Sequence, residues 1–210
     1  MASTSSATLL NVLTSRSDTG RIIPIASVLF VTVLTAAAAQ ISVPLPFTQV
    51  PFTFQPMVVL LGGLILGSRL ACASQVLYLL AGVIGLPVFA ASATLPPGPL
   101  RLLGPTGGYL MAYPVAAFVT GYLAERGFDK RYATSVVAML AGLVLIYAAG
   151  ITWLALFASA FGANAAVGFT AALFSGAYPF LVPDLFKIVA AAGIVPAAWR
   201  LIGRSPSTGL

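Results

Sequence analysis

From residue 22 the chain runs without a charged side chain until Arg69, and long apolar stretches then recur almost to its end. Apolar runs of roughly 18 or more residues suit the hydrocarbon layer of a bilayer, about 30 Å thick at a rise of 1.5 Å per residue. The pattern predicts a first helix over about residues 22–43. It cannot continue through "VPLPFTQVPFTFQP" (43–56), where four prolines remove donors and impose extended backbone. A short second helix is predicted over 55–68, a tight loop at Arg69, and a third helix over 70–86. The segment "PVFAASATLPPGPLRLLGPTGGY" is rich in turn formers. A fourth helix over 106–124, the charged loop "ERGFDKR" and a fifth helix over 132–155 follow. An interruption at 162–164 leads into 165–178, apolar and rich in small residues, which reads as a re-entrant or interfacial piece. The last helix is placed at 183–202, with Pro183 in its first turn.

Composition turns this pattern into a class. Apolar residues make up 60% and charged residues only 7% of the chain, against about 25% charge in soluble domains. The mean hydropathy is +1.04. The expected fold is an all-α integral membrane protein with six transmembrane helices. The net charge of +6 does not point to nucleic acid, because the basic residues neither cluster nor interleave with aromatics. The single cysteine, Cys72, excludes an internal disulfide and a CxxC metal site. Without histidine there is no His-based triad, zinc site or imidazole relay, and no GxxxxGK[ST] loop is present to cradle a nucleotide.

Six spans place both termini on one side. Arg16, Arg21, Arg69, Arg126, Lys130, Arg131, Arg200 and Arg204, eight of the ten basic residues, then share that side, which the positive-inside rule makes cytoplasmic. Residues 1–20 are expected as a mobile cytoplasmic tail, 21–204 as one membrane domain and 205–210 as a C-terminal tail. A transit peptide fits less well, with few arginines and no amphipathic face, and the apolar run from residue 22 is too long for a signal peptide.

Three charges remain that topology does not explain: Arg101, Asp184 and Lys187. Ionisable groups within membrane helices cost about 2.5–3.5 kcal/mol each at mid-span and mark function by default. With the last helix starting at Pro183, Asp184 would complement the helix dipole and pair with Lys187 at i,i+3. The same pair could form the polar floor of a pocket loaded from outside. Two basic groups suit a carboxylate, and its apolar body would suit Phe47, Phe52 and Phe54, with Gln49 and Gln55 as amide donors and acceptors. The aromatics also fit an interfacial belt. Tyr109 in "GPTGGY" faces either the pocket or the lipid interface. On the first helix, Thr32/Ala36 and Thr35/Ala39 have small-xxx-small spacing, for packing within the bundle or against another membrane subunit.

"AQISVPLPFTQVPFTFQPMVVLLGGLILGSRLA", "YLLAGVIGLPVFA", "LLGPTGGYLMAYPVAAFVTGYLAER" and "YPFLVPDLFK", in this order, resemble the BioY family, the biotin-binding S components of energy-coupling factor (ECF) transporters. The resemblance covers about residues 36–187. It implies a six-helix S-component fold that captures biotin with high affinity from the outer face. It also implies a transmembrane coupling subunit and two ATPase subunits, dispensable in some members. Asp184 and Lys187 match the family's last-helix Asp-x-x-Lys that contacts the ligand, and Arg101 matches its loop arginine. No asparagine near "PVFAAS" matches the family's ureido-binding amide, which leaves Ser92 in that place. Thr35, Ala36 and Ala39 match the alanine motif that docks the coupling subunit. A transporter for another carboxylated vitamin would keep this architecture. An intramembrane enzyme would need a nucleophile and base that the chain does not place together, and a channel would need a repeated polar stripe. No metal and no cofactor is expected.

Overall fold

The computed structural model describes residues 8–10, 22–92, 95–156 and 168–203. Helix α1 (Ile22–Gln40) leads into a two-stranded ribbon, β1 (Ser42–Val43) and β2 (Phe52–Thr53). Helices α2 (Gln55–Leu66), α3 (Ser68–Val83) and the short α4 (Leu100–Leu103) follow, then α5 (Gly107–Leu123), a π-helical turn (Ala124–Phe128) and α6 (Tyr132–Leu156). The chain ends in α7 (Phe169–Gly176), α8 (Tyr178–Ala191) and α9 (Ile194–Gly203). The ribbon corrects the all-α expectation. Its strands pair antiparallel, Ser42 with Thr53 and Val43 with Phe52, and so fold the proline-rich corner back on itself.

Three helical stretches are long and apolar enough to cross a membrane: Ile22–Gln40, Tyr132–Leu156 and Tyr178–Leu201. Helix α2, at 12 residues, is about 18 Å long and shorter than the hydrocarbon layer. The bundle's outer surface suits lipid rather than water, with Phe30, Val33, Val144, Val182 and Phe186 all exposed.

Helix α5 is the centre, packing on α2, α3 and α6. Small residues allow this: Ala116 and Ala117 are fully buried, and close approach of backbones replaces the missing hydrophobic drive between helices in lipid. At Gly121 a Cβ would lie 2.4 Å from the carbonyl carbon of Gly67 and 2.5 Å from the Ser68 nitrogen. Those are backbone atoms of the joint between α2 and α3, where Gly67 takes φ +80°, a left-handed conformation that glycine tolerates. Gly121→Ala is therefore expected to destabilise the detergent-solubilised protein by about 1–3 kcal/mol, the usual cost of overpacking. Gly193→Ala is the control, since its Cβ would meet only ordinary contacts at 3.7 Å or more. Equal thermal unfolding midpoints for the two variants would refute the account.

One end of the bundle collects the charge. Glu125 in the π-helical turn accepts from the Ser68 nitrogen at 2.7 Å and its hydroxyl at 2.8 Å, placing an acid at the N-terminus of α3. Trp199 on α9 donates from Nε1 to Asp129 Oδ2 at 2.7 Å. Burial pushes the Asp129 carboxyl above its ordinary range, and the Trp199 bond pulls it back down. These links place the segments carrying Arg69, Arg126, Lys130, Arg131 and Arg200 at the same end. Arg16, Arg21 and Arg204 lie outside the described residues. So do the expected interruption at 162–164 and most of the two tails. Thr8, Leu9 and Leu10 are buried, with Leu10 in the core. At these three residues the mobile-tail expectation is corrected: their side chains, two of them apolar, are buried.

Candidate functional site

At the opposite end lies a cavity of about 550 Å³, within the usual range for small-molecule sites. Its walls come from the α1–α2 connection, the loop after α3, α4, the first turns of α5, and facing positions of α6 and α8. Most of the lining is apolar, with polar groups confined to a few places.

Asp184 is one of them. Helix α8 starts at Tyr178, with Pro179 in its first turn and Pro183 inside it. The expected start at Pro183 is thus corrected by five residues, because Pro179 offers an equally good first-turn proline. Asp184 sits in the second turn, too deep to cap the helix. Its two oxygens have separate partners: Oδ1 accepts from Lys187 Nζ at 2.7 Å and Oδ2 from the Tyr147 hydroxyl at 2.6 Å. Asp184 lines the cavity, while Lys187 stands behind it. Lys187 also donates to the Thr53 carbonyl at 2.6 Å and lies 3.7 Å from the Phe52 ring centroid and 5.2 Å from that of Phe54. The ammonium is satisfied by a carboxylate, a carbonyl and two aromatic faces. It ties the last long helix to the ribbon.

Gln55, in the first turn of α2, lines the cavity and donates from Nε2 to the Tyr78 hydroxyl at 2.6 Å. Tyr78 in turn donates to the Val88 carbonyl at 3.2 Å. Tyr109 also lines the cavity, but its hydroxyl donates to the Gly176 carbonyl at 2.8 Å. It fits between α6 and α7 only because Gly150 and Gly176 have no side chain, a Cβ at either lying 2.3 Å from the tyrosine.

Arg101 is buried in the cavity wall. Its Nε donates to the Pro96 carbonyl at 3.1 Å and Nη1 to the Ala90 carbonyl at 2.7 Å. Burial draws the guanidinium pKa down from its ordinary value. Among the described residues Nη2 has no partner, which leaves a donor for a ligand. Ser92, exposed at the rim, accepts from the Leu95 nitrogen at 3.3 Å.

The aromatic loop divides. Gln49 and Phe52 line the cavity, whereas Phe47 is exposed and Phe54 packs edge-on to Phe52 at 5.8 Å. Thr48 anchors this loop by donating to the Ser175 carbonyl at 2.7 Å. Thr35 and Ala39 are fully buried, and Thr35 accepts from Gln75 Nε2 at 3.2 Å. Ala36 is half-buried. The seam expected to dock a subunit is therefore occupied by this chain's own α3. Tyr147, Tyr113 and Phe180 are cavity residues that the sequence analysis missed. The only signal for Tyr147 was a hydroxyl in the middle of a long apolar helix.

A lipid-compatible helical bundle with a deep, mostly apolar cavity and two separated polar positions in its wall defines a membrane-embedded small-molecule-binding protein. The chain belongs to the BioY family, whose family model matches residues 8–204. It is 42% identical over 172 residues to the probable biotin transporter BioY of Pyrococcus horikoshii, covering 82% of this chain and 91% of the relative. The biotin transporter BioY of Rhizobium etli is 34% identical over 189 residues, with 86% and 90% covered. That of Thermotoga maritima is 38% identical over 161 residues, with 77% and 86% covered. The fold is shared with the crystal structure of the S-component for biotin from an ECF-type ABC transporter, at a TM-score of 0.73, 23% identity and coverage of 90% and 95%.

Proposed function

We propose that this protein captures biotin with high affinity at the outer membrane face, as the substrate-binding subunit of an ECF-type transporter. It acts by binding and not by catalysis. Six crossings by α1, α2, α3, α5, α6 and the α8–α9 pair would place both termini in the cytoplasm. The gathering of Arg69, Arg126, Lys130, Arg131 and Arg200 at the end opposite the cavity supports this orientation. The membrane would be the inner, or cell, membrane of a bacterium.

The observation that carries the reading is the pairing of a buried acid, Asp184, with a buried arginine, Arg101, in the wall of one apolar cavity. Biotin has an apolar thiophane and valeryl chain between a ureido ring and a carboxylate. Asp184 accepts from a ureido N–H, Arg101 Nη2 holds the carboxylate, and Gln49 and Phe52 close over the bound molecule with Ser92 at the rim. Family membership supports biotin over another carboxylated vitamin. A transmembrane coupling subunit and two ATPase subunits would supply the energy, since this chain has no nucleotide loop of its own. The buried Thr35 and Ala39 leave Ala36, of the expected docking residues, the most accessible to such a partner.

The test is mass spectrometry of small molecules that co-purify with the detergent-solubilised protein, joined to uptake in a biotin-requiring cell. Biotin in the purified sample and rescued growth are expected. Absence of both would overturn the assignment. Displacement by thiamine or pantothenate, and not by biotin, would transfer the site to a different vitamin.

A further inference from the structure

Lys187 ties together the segments that carry Gln55 and Asp184: its ammonium bonds Asp184 Oδ1 and the carbonyl of Thr53, two residues before Gln55. Both side chains line the cavity. An amide, unlike a carboxylate, can present either its oxygen or its NH₂, so its partners decide what it offers. Here the partner is Tyr78, fully buried on α3 and outside the cavity.

The phenol has one proton and two close neighbours, the Gln55 amide at 2.6 Å and the Val88 carbonyl at 3.2 Å. The carbonyl can only accept, so it takes the phenolic proton. The phenol oxygen is then left as an acceptor, and Gln55 must turn its NH₂ toward it. In the reverse arrangement the phenol would donate to the Gln55 oxygen, and Val88 would face another oxygen with no proton between them. The part-buried Val88 carbonyl would lose its donor with no gain elsewhere, which selects the first arrangement. Gln55 Oε1 therefore points away from Tyr78. It has no partner on the protein among the described residues and is available to the cavity as an acceptor.

We propose that Tyr78 is a positioning residue that locks the Gln55 amide as a second acceptor beside Asp184, so that the site demands a ligand with two N–H donors on one edge. A cyclic urea meets that demand: one N–H goes to the carboxylate and the other to the amide oxygen. The assignment rests on the biotin reading above and adds to it the rule by which the ureido ring is recognised. A lactam or cyclic carbamate of the same size supplies one donor only and leaves Gln55 Oε1 facing a lone pair or nothing.

The experiment is a double-mutant cycle on the full-length detergent-solubilised protein, with Tyr78→Phe, Gln55→Leu and both, titrated with biotin and with its cyclic carbamate analogue. Phenylalanine keeps the ring packed against Phe89, whose centroid lies 5.4 Å away, and a thermal unfolding scan monitors the fold. Tyr78→Phe is expected to weaken biotin binding about tenfold, and to add nothing once Gln55 is leucine. It is also expected to narrow the preference for biotin over the carbamate severalfold, because a freed amide can turn its NH₂ to the ligand. A purely structural tyrosine would weaken both ligands alike and in both backgrounds, and that result overturns the proposal. Wild-type protein that binds no biotin overturns the functional reading and this assignment together. Wild-type binding with an additive cycle overturns this assignment alone.

Discussion

Lys187→Ala is expected to abolish measurable biotin binding at concentrations that saturate the wild type, and to do more damage than Asp184→Asn. Alanine removes the ammonium from between Asp184 and the Thr53 carbonyl, both bonded within 2.7 Å. The carboxylate then keeps only Tyr147 as its buried partner. Breaking one side of a buried pair costs about 3–5 kcal/mol, since an uncompensated charge remains, and that is roughly 150- to 5,000-fold in affinity where the site must stay formed. The ribbon also loses its tie to α8. Asp184→Asn is milder, because the isosteric amide keeps an oxygen for the ligand and Lys187 keeps Thr53. A loss of about 10- to 100-fold is expected there, one or two charge-assisted hydrogen bonds in size. The double variant Asp184→Asn/Lys187→Met separates stability from recognition. It leaves no buried carboxylate or ammonium at this site, so its unfolding midpoint should recover relative to Lys187→Ala while binding does not. Equilibrium titration and thermal unfolding of the same samples decide the matter. Near-wild-type affinity in both single variants would leave the pair with a purely structural role.

Arg101→Ala carries the next largest effect, about 2–3 kcal/mol, or roughly 30- to 150-fold, for a lost charged hydrogen bond and a loosened wall. The guanidinium does two things at once. Nε and Nη1 hold the Pro96 and Ala90 carbonyls, and in the proposed site Nη2 is left for the ligand. Comparing biotin with its primary amide separates these roles. Wild-type protein should prefer the acid, and Arg101→Ala should bind acid and amide about equally. Arg101→Lys should restore part of the preference for the acid but little of the absolute affinity, because an ammonium cannot reproduce the fork that grips two carbonyls. An unchanged acid-to-amide ratio in Arg101→Ala would place the carboxylate elsewhere.

The positions of the long helices were legible from apolar run length and proline alone, since in lipid the backbone has few other options. Boundaries that depend on one proline were less secure. Pro179 and Pro183 are both plausible first-turn residues, and only packing of residues 178–182 decides between them. That difference moves Asp184 from a capping position into the second turn. The i,i+3 spacing of Asp184 and Lys187 indicated a shared face, and they do bond. It could not indicate that the longer side chain would turn to the Thr53 carbonyl and leave only the acid in the cavity wall. Gln49, Phe52, Gln55, Arg101 and Tyr109 were each identifiable in their segments, Ser92 only through the family resemblance, and the fold brings all of them to one cavity. Tyr147 and Tyr78 were not, because a tyrosine within an apolar helix looks like core until its hydroxyl's partner is known. Small-xxx-small spacing at Thr35 and Ala39 correctly signalled close packing but carried no information on which helix fills the groove. The two-residue strands of the ribbon are too short for any periodicity to register.

The chain's two tryptophans lie at opposite ends of the bundle, and each has its indole nitrogen engaged. Trp153 donates to the carbonyl of Gly104, a cavity residue, at 2.9 Å, and Trp199 to Asp129 in the charge cluster at the other end. In the single-tryptophan variants Trp199→Phe and Trp153→Phe, fluorescence therefore reports on one end at a time without any label. Emission from Trp153 samples the polarity and hydration of the ligand's surroundings, and emission from Trp199 samples the protonation and packing of the far end. A ligand that fills the cavity changes the first directly, and any accompanying change in the second measures how far a binding event is felt across the membrane.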